Sequence, residues 1–218
     1  VGLVPSEMPC YAGHDENVLR TTPGLYPDIL EELQEGTLPF IPGQWRSLWI
    51  TIEGNDKLRA GKYDINLIFA DSLGEELGKA HFNVEVIHAL LPEQELIHTE
   101  WFHSDCLATY YNVEVFSEEY WKLVAKYVQT AVNHGMNMIL TPVFTPPLDT
   151  AVGGERPTVQ LVDVVKTGGS YDYDFSKLKR WIEICRAAGV KYFEISHLFT
   201  QWGAKHAPKI IAEENGVI

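Results

Sequence analysis

The sequence is poor in cysteine, in basic residues and in long apolar runs. Its 218 residues include only three cysteines, Cys10, Cys106 and Cys185, which are widely spaced and form no CxxC pair. An odd number of widely spaced cysteines suggests neither a disulfide framework nor a zinc knuckle, and a reducing cytoplasm fits this usage best. No stretch approaches the roughly 20 consecutive apolar residues of a membrane span, and no basic-then-apolar signal segment opens the chain. We therefore expect a cytoplasmic protein that does not contact the membrane.

Positive charge is also scarce. The chain has 17 lysines and arginines against 30 aspartates and glutamates, which gives a formal net charge of −13. A surface of this sign repels the phosphates of nucleic acids and of anionic lipids. We therefore expect neutral or cationic partners and no nucleic acid.

The first 92 residues have the pattern of an all-β domain. Residues 1–43 are rich in proline and lack a sustained period, which is typical of irregular connections. Apolar and polar residues then alternate over 44–52, 63–69 and 82–86, with turn-forming residues at 54–56 and 71–74. This alternation predicts three antiparallel strands. We interpret residues 1–92 as a small antiparallel β-sandwich domain, bounded near Pro92.

Residues 93–218 change to a strand, helix, strand, helix, strand order. Residues 95–103 are strand-like, Ser117 can cap a helix, and residues 138–140 form a short apolar strand. A second helix opens at Asp174 or Ser176, and the next strand covers residues 192–195. Such repetition predicts βαβ units with a parallel sheet, as in a TIM-type (β/α) barrel.

The predicted barrel is incomplete. Each βα unit takes about 40 residues, so eight units would need roughly 300, within the range of such barrels. Residues 93–218 therefore account for about three parallel strands, and we expect the chain to stop before the barrel closes. A bare parallel edge invites pairing. We expect that edge to be disordered or covered by another copy in a homo-oligomer.

The loops after the predicted strands carry the candidate functional residues, because barrel sites lie at the carboxyl ends of strands. These loops mix aromatic rings with hydrogen-bonding groups, which is what a sugar ring with an apolar face and a fringe of hydroxyls needs. The residues concerned are His103, Asp105, Thr141, His197, Gln201 and Trp202.

Each candidate also has a purely structural interpretation. His103 and His197 can hydrogen-bond backbone carbonyls, and Asp105 can be a turn residue or a helix cap. Trp202 fits a core plug as well as it fits a sugar platform. Trp121 and Trp181 lie on apolar helix faces, where we expect core packing.

Neither a metal site nor a pair of catalytic acids is indicated. His98 and His103 are an odd number of positions apart in a strand, so they point to opposite faces, and we expect no metal. Glu194 can face the barrel lumen, but glycoside hydrolysis normally needs two carboxyl groups.

Five segments together resemble bacterial proteins related to glycoside hydrolase family 123. The resemblance spans essentially the whole chain, and its motifs are specific in combination. The segments are residues 4–7 (VPSE), 19–28 (LRTTPGLYPD), 42–49 (PGQWRSLW), 101–106 (WFHSDC) and 197–208 (HLFTQWGAKHAP).

The resemblance implies a β-sandwich packed on a (β/α)₈ barrel and β-N-acetylgalactosaminidase activity. In that reaction the 2-acetamido oxygen of the terminal sugar attacks the anomeric carbon, and the configuration is retained. An adjacent Asp-Glu pair after the fourth barrel strand is implied to orient the amide and to act as acid and then base. This sequence has no counterpart of the pair, so no catalytic residue is assigned. We expect the pair beyond the end of the chain and no turnover by this portion alone.

The resemblance implies residues that line one side of the sugar site. It implies substrate binding for the six loop residues named above and requires no cofactor. The alternative is a non-catalytic carbohydrate-binding or scaffold protein, in which exposed coplanar aromatics of the sandwich bind the sugar. Trp45 and Trp49 share one face of a predicted strand, but they suit a core seam equally well.

Overall fold

Two compact units make up the chain, Val1–Leu90 and Leu91–Ile218. The structure is a computed structural model that describes residues 2–4, 24–26, 30–33, 35–39, 41–44, 46–55, 57–146, 155–199 and 207–218. Within these ranges every helix is too short or too polar to span a bilayer. The predicted boundary near Pro92 lies close to this division, while the assignment of the units as sandwich and barrel stays a prediction.

The first unit contains two separate two-stranded antiparallel sheets in its described part. Its strands are β1 (Gly2–Val4), β2 (Gly24–Tyr26), β3 (Gly61–Ala70) and β4 (Glu76–Val86). The strands predicted over 63–69 and 82–86 are confirmed, because β3 and β4 form a hairpin that pairs Tyr63 with Val84 and Ile65 with Phe82. The Asp71 carboxylate accepts the backbone N–H groups of Leu73 and Glu75 at 2.8 and 2.9 Å, which closes the turn.

The strand predicted over 44–52 is wrong for the residues that the structure describes there. Residues 46–55 carry no strand, and Trp45 lies outside the described residues. Alternation sets which side chains share a face, but a strand also needs a neighbour to complete its hydrogen bonds. The described residues supply no such neighbour for 46–55, so the β-sandwich stays a prediction.

The second unit is built on a three-stranded parallel sheet in the order β5-β6-β9. The strands of this sheet and the helices of the unit are β5 (Thr99–Glu100), α1 (Asp105–Tyr111), α2 (Glu118–Asn133), β6 (Met138–Thr141), α3 (Ser176–Ala188) and β9 (Tyr192–Ile195). The predicted strand and helix alternation is confirmed, and α1 is an addition to it. Closure of the sheet into a barrel stays a prediction.

The first parallel strand is much shorter than the predicted 95–103. Before β5 the chain is held by the side chain of Asn137, which accepts the His98 N–H at 2.8 Å and donates to the Leu96 carbonyl at 2.9 Å. A side-chain amide thus replaces the sheet hydrogen bonds of the Leu96 carbonyl and the His98 N–H, whereas the His98 carbonyl accepts the backbone N–H groups of Asn137 and Met138, each at 3.1 Å. The alternating pattern could not reveal this substitution.

Local signals define both long helices as predicted. The Ser117 hydroxyl accepts the Tyr120 N–H at 3.2 Å and so caps α2, as its position before two glutamates suggested. The Asp174 carboxylate accepts the Ser176 N–H at 2.9 Å at the start of α3. Gly189 ends α3 with a φ of 107°, a conformation that favours glycine.

The core of the second unit lies between the sheet and the helices. Trp121 and Trp181 are buried there, as predicted, together with Val124, Ile139 and Cys185. Leu140 is also buried but is not part of this cluster, because successive strand residues point to opposite faces. The sheet therefore has a helix-covered face and an opposite face, on which Leu140 lies.

A second small sheet, which the sequence did not predict, is formed by two strands between β6 and α3 and by one strand that follows β9 in the chain. It consists of β7 (Asp163–Thr167), β8 (Ser170–Asp174) and β10 (Glu213–Glu214), in the order β10-β7-β8. The buried side chain of Gln160, which precedes β7, is bonded to the backbone of Ile211, which precedes β10. Gln160 Nε2 donates to the Ile211 carbonyl at 2.8 Å, and Oε1 accepts the Ile211 N–H at 2.9 Å. The segments after β6 and after β9 are therefore tied together.

Replacement of Ser117 by alanine should destabilise the second unit, because the Tyr120 N–H loses its partner. We expect S117A to lower the free energy of unfolding by about 1 kcal/mol in urea denaturation followed by tryptophan fluorescence. Ser170 is exposed and makes no described cap, so S170A is the matched control and should leave the free energy nearly unchanged. Equal effects of the two substitutions would contradict the cap.

Candidate functional site

The carboxyl ends of β5, β6 and β9 meet at one edge of the sheet, because the three strands are parallel. Residues 101–106, 142–146 and 196–199 follow these ends directly. Polar and aromatic side chains from distant parts of the sequence are thereby brought together. The described contacts form an aromatic cluster and an ion pair.

The aromatic cluster consists of Trp101, Glu194 and His197. The rings of Trp101 and His197 are stacked, with centroids 5.9 Å apart and an interplanar angle of 26°. Trp101 Nε1 donates to Glu194 Oε2 at 3.2 Å. Since the Trp101 side chain remains 47% exposed, the cluster presents an aromatic surface beside a carboxylate.

Several polar atoms near these strand ends are held by packing rather than by hydrogen bonds. In the part of the chain that the structure describes, Ser104 Oγ, Ser196 Oγ and His197 Nε2 are buried without a hydrogen-bond partner. Most buried polar groups in proteins are paired, so such atoms are uncommon. The orientation of the His197 ring is therefore set by its neighbours and by its stacking on Trp101.

The ion pair joins the loops that follow β5 and β6. Asp105, the first residue of α1, accepts Arg156 Nε at 2.8 Å through Oδ2 and Arg156 Nη2 at 3.1 Å through Oδ1. The two side chains are only 6% and 14% exposed, so the pair is largely removed from water. Arg156 Nη2 also lies 3.3 Å from the sulfur of Cys106. The Asp105 carboxylate thus orients a guanidinium rather than capping α1.

Burial near this ion pair changes the acidity of a tyrosine. Burial raises the pKa of Tyr120 to about 12, and the negative charge of Asp105 adds to the rise. The Ser104 hydroxyl lies beside Tyr120 and acts in the opposite direction, although the two hydroxyls do not reach hydrogen-bond geometry. Tyr120 therefore stays a neutral phenol over the physiological pH range.

Of the four remaining predicted residues, the structure describes two. His103 is half-buried directly after β5, and its carbonyl accepts the Cys106 N–H at 3.1 Å. Thr141 is fully buried, and its Oγ1 donates to the Ile139 carbonyl of its own strand at 3.4 Å. Gln201 and Trp202 lie outside the described residues.

Sequence reasoning missed two members of the site. Trp101 belongs to a quoted motif, and its stacking partner His197 was predicted, but the chemical role of the tryptophan was not recognised. Arg156 lies in the long segment between β6 and α3, where no period or motif marked it. The available signal was Asp105, since a buried carboxylate needs a cationic or hydrogen-bonding partner.

The described residues offer no metal site. Within the described ranges, no group of three or more His, Cys, Asp or Glu side chains could hold a metal ion. The two described cysteines, Cys106 and Cys185, are free thiols. Burial raises the pKa of the Cys185 thiol to about 12, so it is unreactive in the folded chain.

Comparison with known proteins gave one family. The family model described as "Glycoside hydrolase 123, catalytic domain" matches residues 101–217, which is more than half of the chain. A search of curated proteins found no match. The matched range begins at Trp101 and includes every residue of the aromatic cluster and of the ion pair.

Loss of the Arg156 guanidinium should be costly, because it leaves the buried Asp105 carboxylate without its cation. We expect R156M to lower the free energy of unfolding by about 3–5 kcal/mol in urea denaturation. The double variant D105N/R156M should recover part of this loss, since it buries no unpaired charge. The exposed pair of Arg180 and Glu118 is the matched control, and R180M should cost much less. A loss in R156M no larger than in R180M would contradict the assignment.

Tyr120 should make the fold sensitive to alkali. Its folded pKa of about 12 lies above the ordinary value near 10, so its contribution is complete below about pH 10 and is lost between about pH 10 and pH 12. Over this range the free energy of unfolding falls by about 3 kcal/mol because of Tyr120. Titration of Cys185, whose pKa is also raised, lowers the free energy of unfolding in the same direction. We expect Y120F to unfold less readily than the wild type at pH 11.5 and similarly at pH 7, as measured in urea.

The control for this pH series is Y171F, because Tyr171 is exposed in β8. Y171F should follow the wild type at each pH. If Y120F and the wild type lose stability in parallel from pH 10 to pH 12, the Tyr120 phenol does not titrate as described.

Proposed function

The chain belongs to the glycoside hydrolase 123 family, and from this premise we propose that it supplies the sugar-binding wall of a hydrolase for terminal 2-acetamido sugars. The preferred substrate is a β-linked N-acetylgalactosamine residue. The carbohydrate is held at the carboxyl ends of β5, β6 and β9, where active sites of barrel enzymes lie.

The observation that carries this proposal is the aromatic cluster. A pyranose ring has an apolar C–H face that stacks on indole, and its hydroxyls need acceptors and donors at the rim. Trp101 offers the partly exposed indole, and Glu194 and His197 lie at its edge and face. The net charge of −13 suits a neutral sugar better than an anionic ligand.

In the proposed reaction Trp101 and His197 bind the sugar, and the substrate supplies the nucleophile. The 2-acetamido oxygen attacks the anomeric carbon with retention, assisted by an Asp-Glu pair after a fourth barrel strand. The proposal assigns residues 1–92 to a β-sandwich domain and residues 93–218 to the first part of a (β/α)₈ barrel. The pair is assigned to a part of the barrel outside these 218 residues, so the chain alone binds sugar without turnover.

The predicted wall residues take different roles in this proposal. His103, His197, Gln201 and Trp202 are proposed sugar contacts. Asp105 acts through Arg156, because its carboxylate is already engaged in a bidentate pair. The buried Thr141 shapes the end of β6, where its carbonyl accepts the Ser196 N–H at 3.1 Å.

A second candidate function is non-catalytic carbohydrate binding by the first unit. It is favoured by Trp49, whose side chain is 79% exposed. An exposed indole is a common sugar platform, but it is also a common feature of protein surfaces. The two candidates place the sugar on different tryptophans and can therefore be distinguished by substitution.

Binding of N-acetylgalactosamine to the 218-residue chain should depend on Trp101. We expect W101A to weaken the Kd, measured by NMR titration, by about tenfold, which corresponds to about 1.4 kcal/mol. W49A is the matched control and should bind like the wild type. N-acetylglucosamine, titrated in parallel, tests whether the site distinguishes the epimers.

Weaker sugar binding by W49A, together with unchanged binding by W101A, would favour the second candidate. Failure of the wild-type chain to bind either 2-acetamido sugar would count against the proposed function as a whole. Hydrolysis of an aryl N-acetyl-β-galactosaminide by the 218-residue chain would contradict the assignment of the acid pair to another part of the barrel.

A further inference from the structure

Trp101 has few restraints of its own. It follows β5, a strand of only 2 residues, and its side chain is about half exposed. In the described part of the chain, the indole of Trp101 makes a single hydrogen bond, from Nε1 to Glu194 Oε2 at 3.2 Å. Half-exposed side chains on loops normally sample several rotamers, so this bond carries most of the polar restraint on the indole.

The hydrogen bond crosses the middle strand of the sheet. Glu100 pairs with Ile139 of β6, and Ile139 pairs with Phe193 of β9, so the next row is Trp101, Leu140 and Glu194. Phe102 stacks on Trp181 of the helix-covered core, which turns Trp101 to the opposite face. The indole therefore reaches from the end of β5 to β9 over β6, where Leu140 is only 1% exposed.

Glu194 is better anchored than the ring that it holds. It lies within β9, and its neighbour Ile195 is paired with Thr141 of β6. The backbone of Glu194 is thus fixed by the sheet, while Trp101 has already left its strand. The direction of restraint is therefore from the carboxylate to the indole.

The same restraint extends to His197. Its ring stacks on Trp101, and Nε2 is buried without a hydrogen-bond partner in the described chain. Imidazole rings are usually oriented by hydrogen bonds to their nitrogens. Here stacking takes over that role, so a change in the indole orientation is transmitted to the imidazole.

We infer that Glu194 is a positioning residue, whose carboxylate orients the indole of Trp101 and, through it, the imidazole of His197 for sugar binding. The part concerning sugar rests on the proposed function, whereas the orientation of the two rings does not. Glu194 thus acts as a hydrogen-bond acceptor, and its negative charge is not required. A direct catalytic or charged contact with the sugar would require the carboxylate itself.

Three substitutions separate these roles. E194L removes the acceptor at similar volume, E194Q keeps an acceptor oxygen without the charge, and E183L makes the same change at an exposed position of α3 as the matched control. The first readout is the indole N–H resonance of Trp101 in a ¹H–¹⁵N spectrum, identified by its absence in W101F. The second is the Kd for N-acetylgalactosamine.

We expect E194L to move the Trp101 indole proton upfield and to weaken sugar binding about tenfold. E194Q should retain a downfield indole proton and a Kd within about threefold of the wild type, and E183L should change neither. In a W101F background, E194L should have no further effect on the Kd, because the interaction that it removes is already absent.

Two results would overturn the inference. One is an indole proton that is unchanged in E194L, and the other is an E194Q variant that binds sugar as weakly as E194L. If E194L does not fold, comparison of E194Q with the wild type still tests whether the charge is needed. If the wild type binds no sugar, the proposed function fails, and the indole resonance alone decides whether Glu194 positions Trp101.

Discussion

The parallel pairing of β6 with β5 on one side and β9 on the other is the constraint on which the site depends. Because all three strands run in the same direction, the chain leaves the sheet at one edge after each of them. Trp101 and His197, which are distant in sequence, become stacking partners in this way. The pairing is made over very few residues, so the buried rings of Tyr120 and Trp181 on the helices must hold the sheet together.

The elements that could be predicted are those whose signals are local. The α2 helix combines an apolar stripe with the Ser117 cap, and α3 combines a similar stripe with a terminal glycine, so each could be located from a short stretch of sequence. The β3-β4 hairpin has alternation on both sides of a turn closed by Asp71. In each case the residues that determine the element are its own.

The elements that could not be predicted depend on distant partners. β10 exists because it pairs with β7, which is far away in sequence, and Gln160 fixes that pairing through Ile211. Before β5, the Leu96 carbonyl and the His98 N–H are bonded to the side chain of Asn137 rather than to a strand. In the site, His197 and Asp105 were predicted from their positions after strands, whereas Arg156 was not, because no local pattern marks the partner of a buried carboxylate. For Glu194 the sequence predicted a position that can face a barrel lumen, whereas its hydrogen bond to Trp101 depends on the position of a distant strand end.

The tie between the segments after β6 and after β9 has a consequence for how this scaffold can change. Barrel enzymes usually diversify through loops that vary independently of one another. In this chain Gln160 and the β7-β10 pairing join the segments after β6 and after β9, and the ion pair of Lys166 with Glu214 at 3.1 Å adds to the connection. An insertion in one of these two segments would strain the other. The two segments would therefore have to be exchanged together when substrate preference is redesigned.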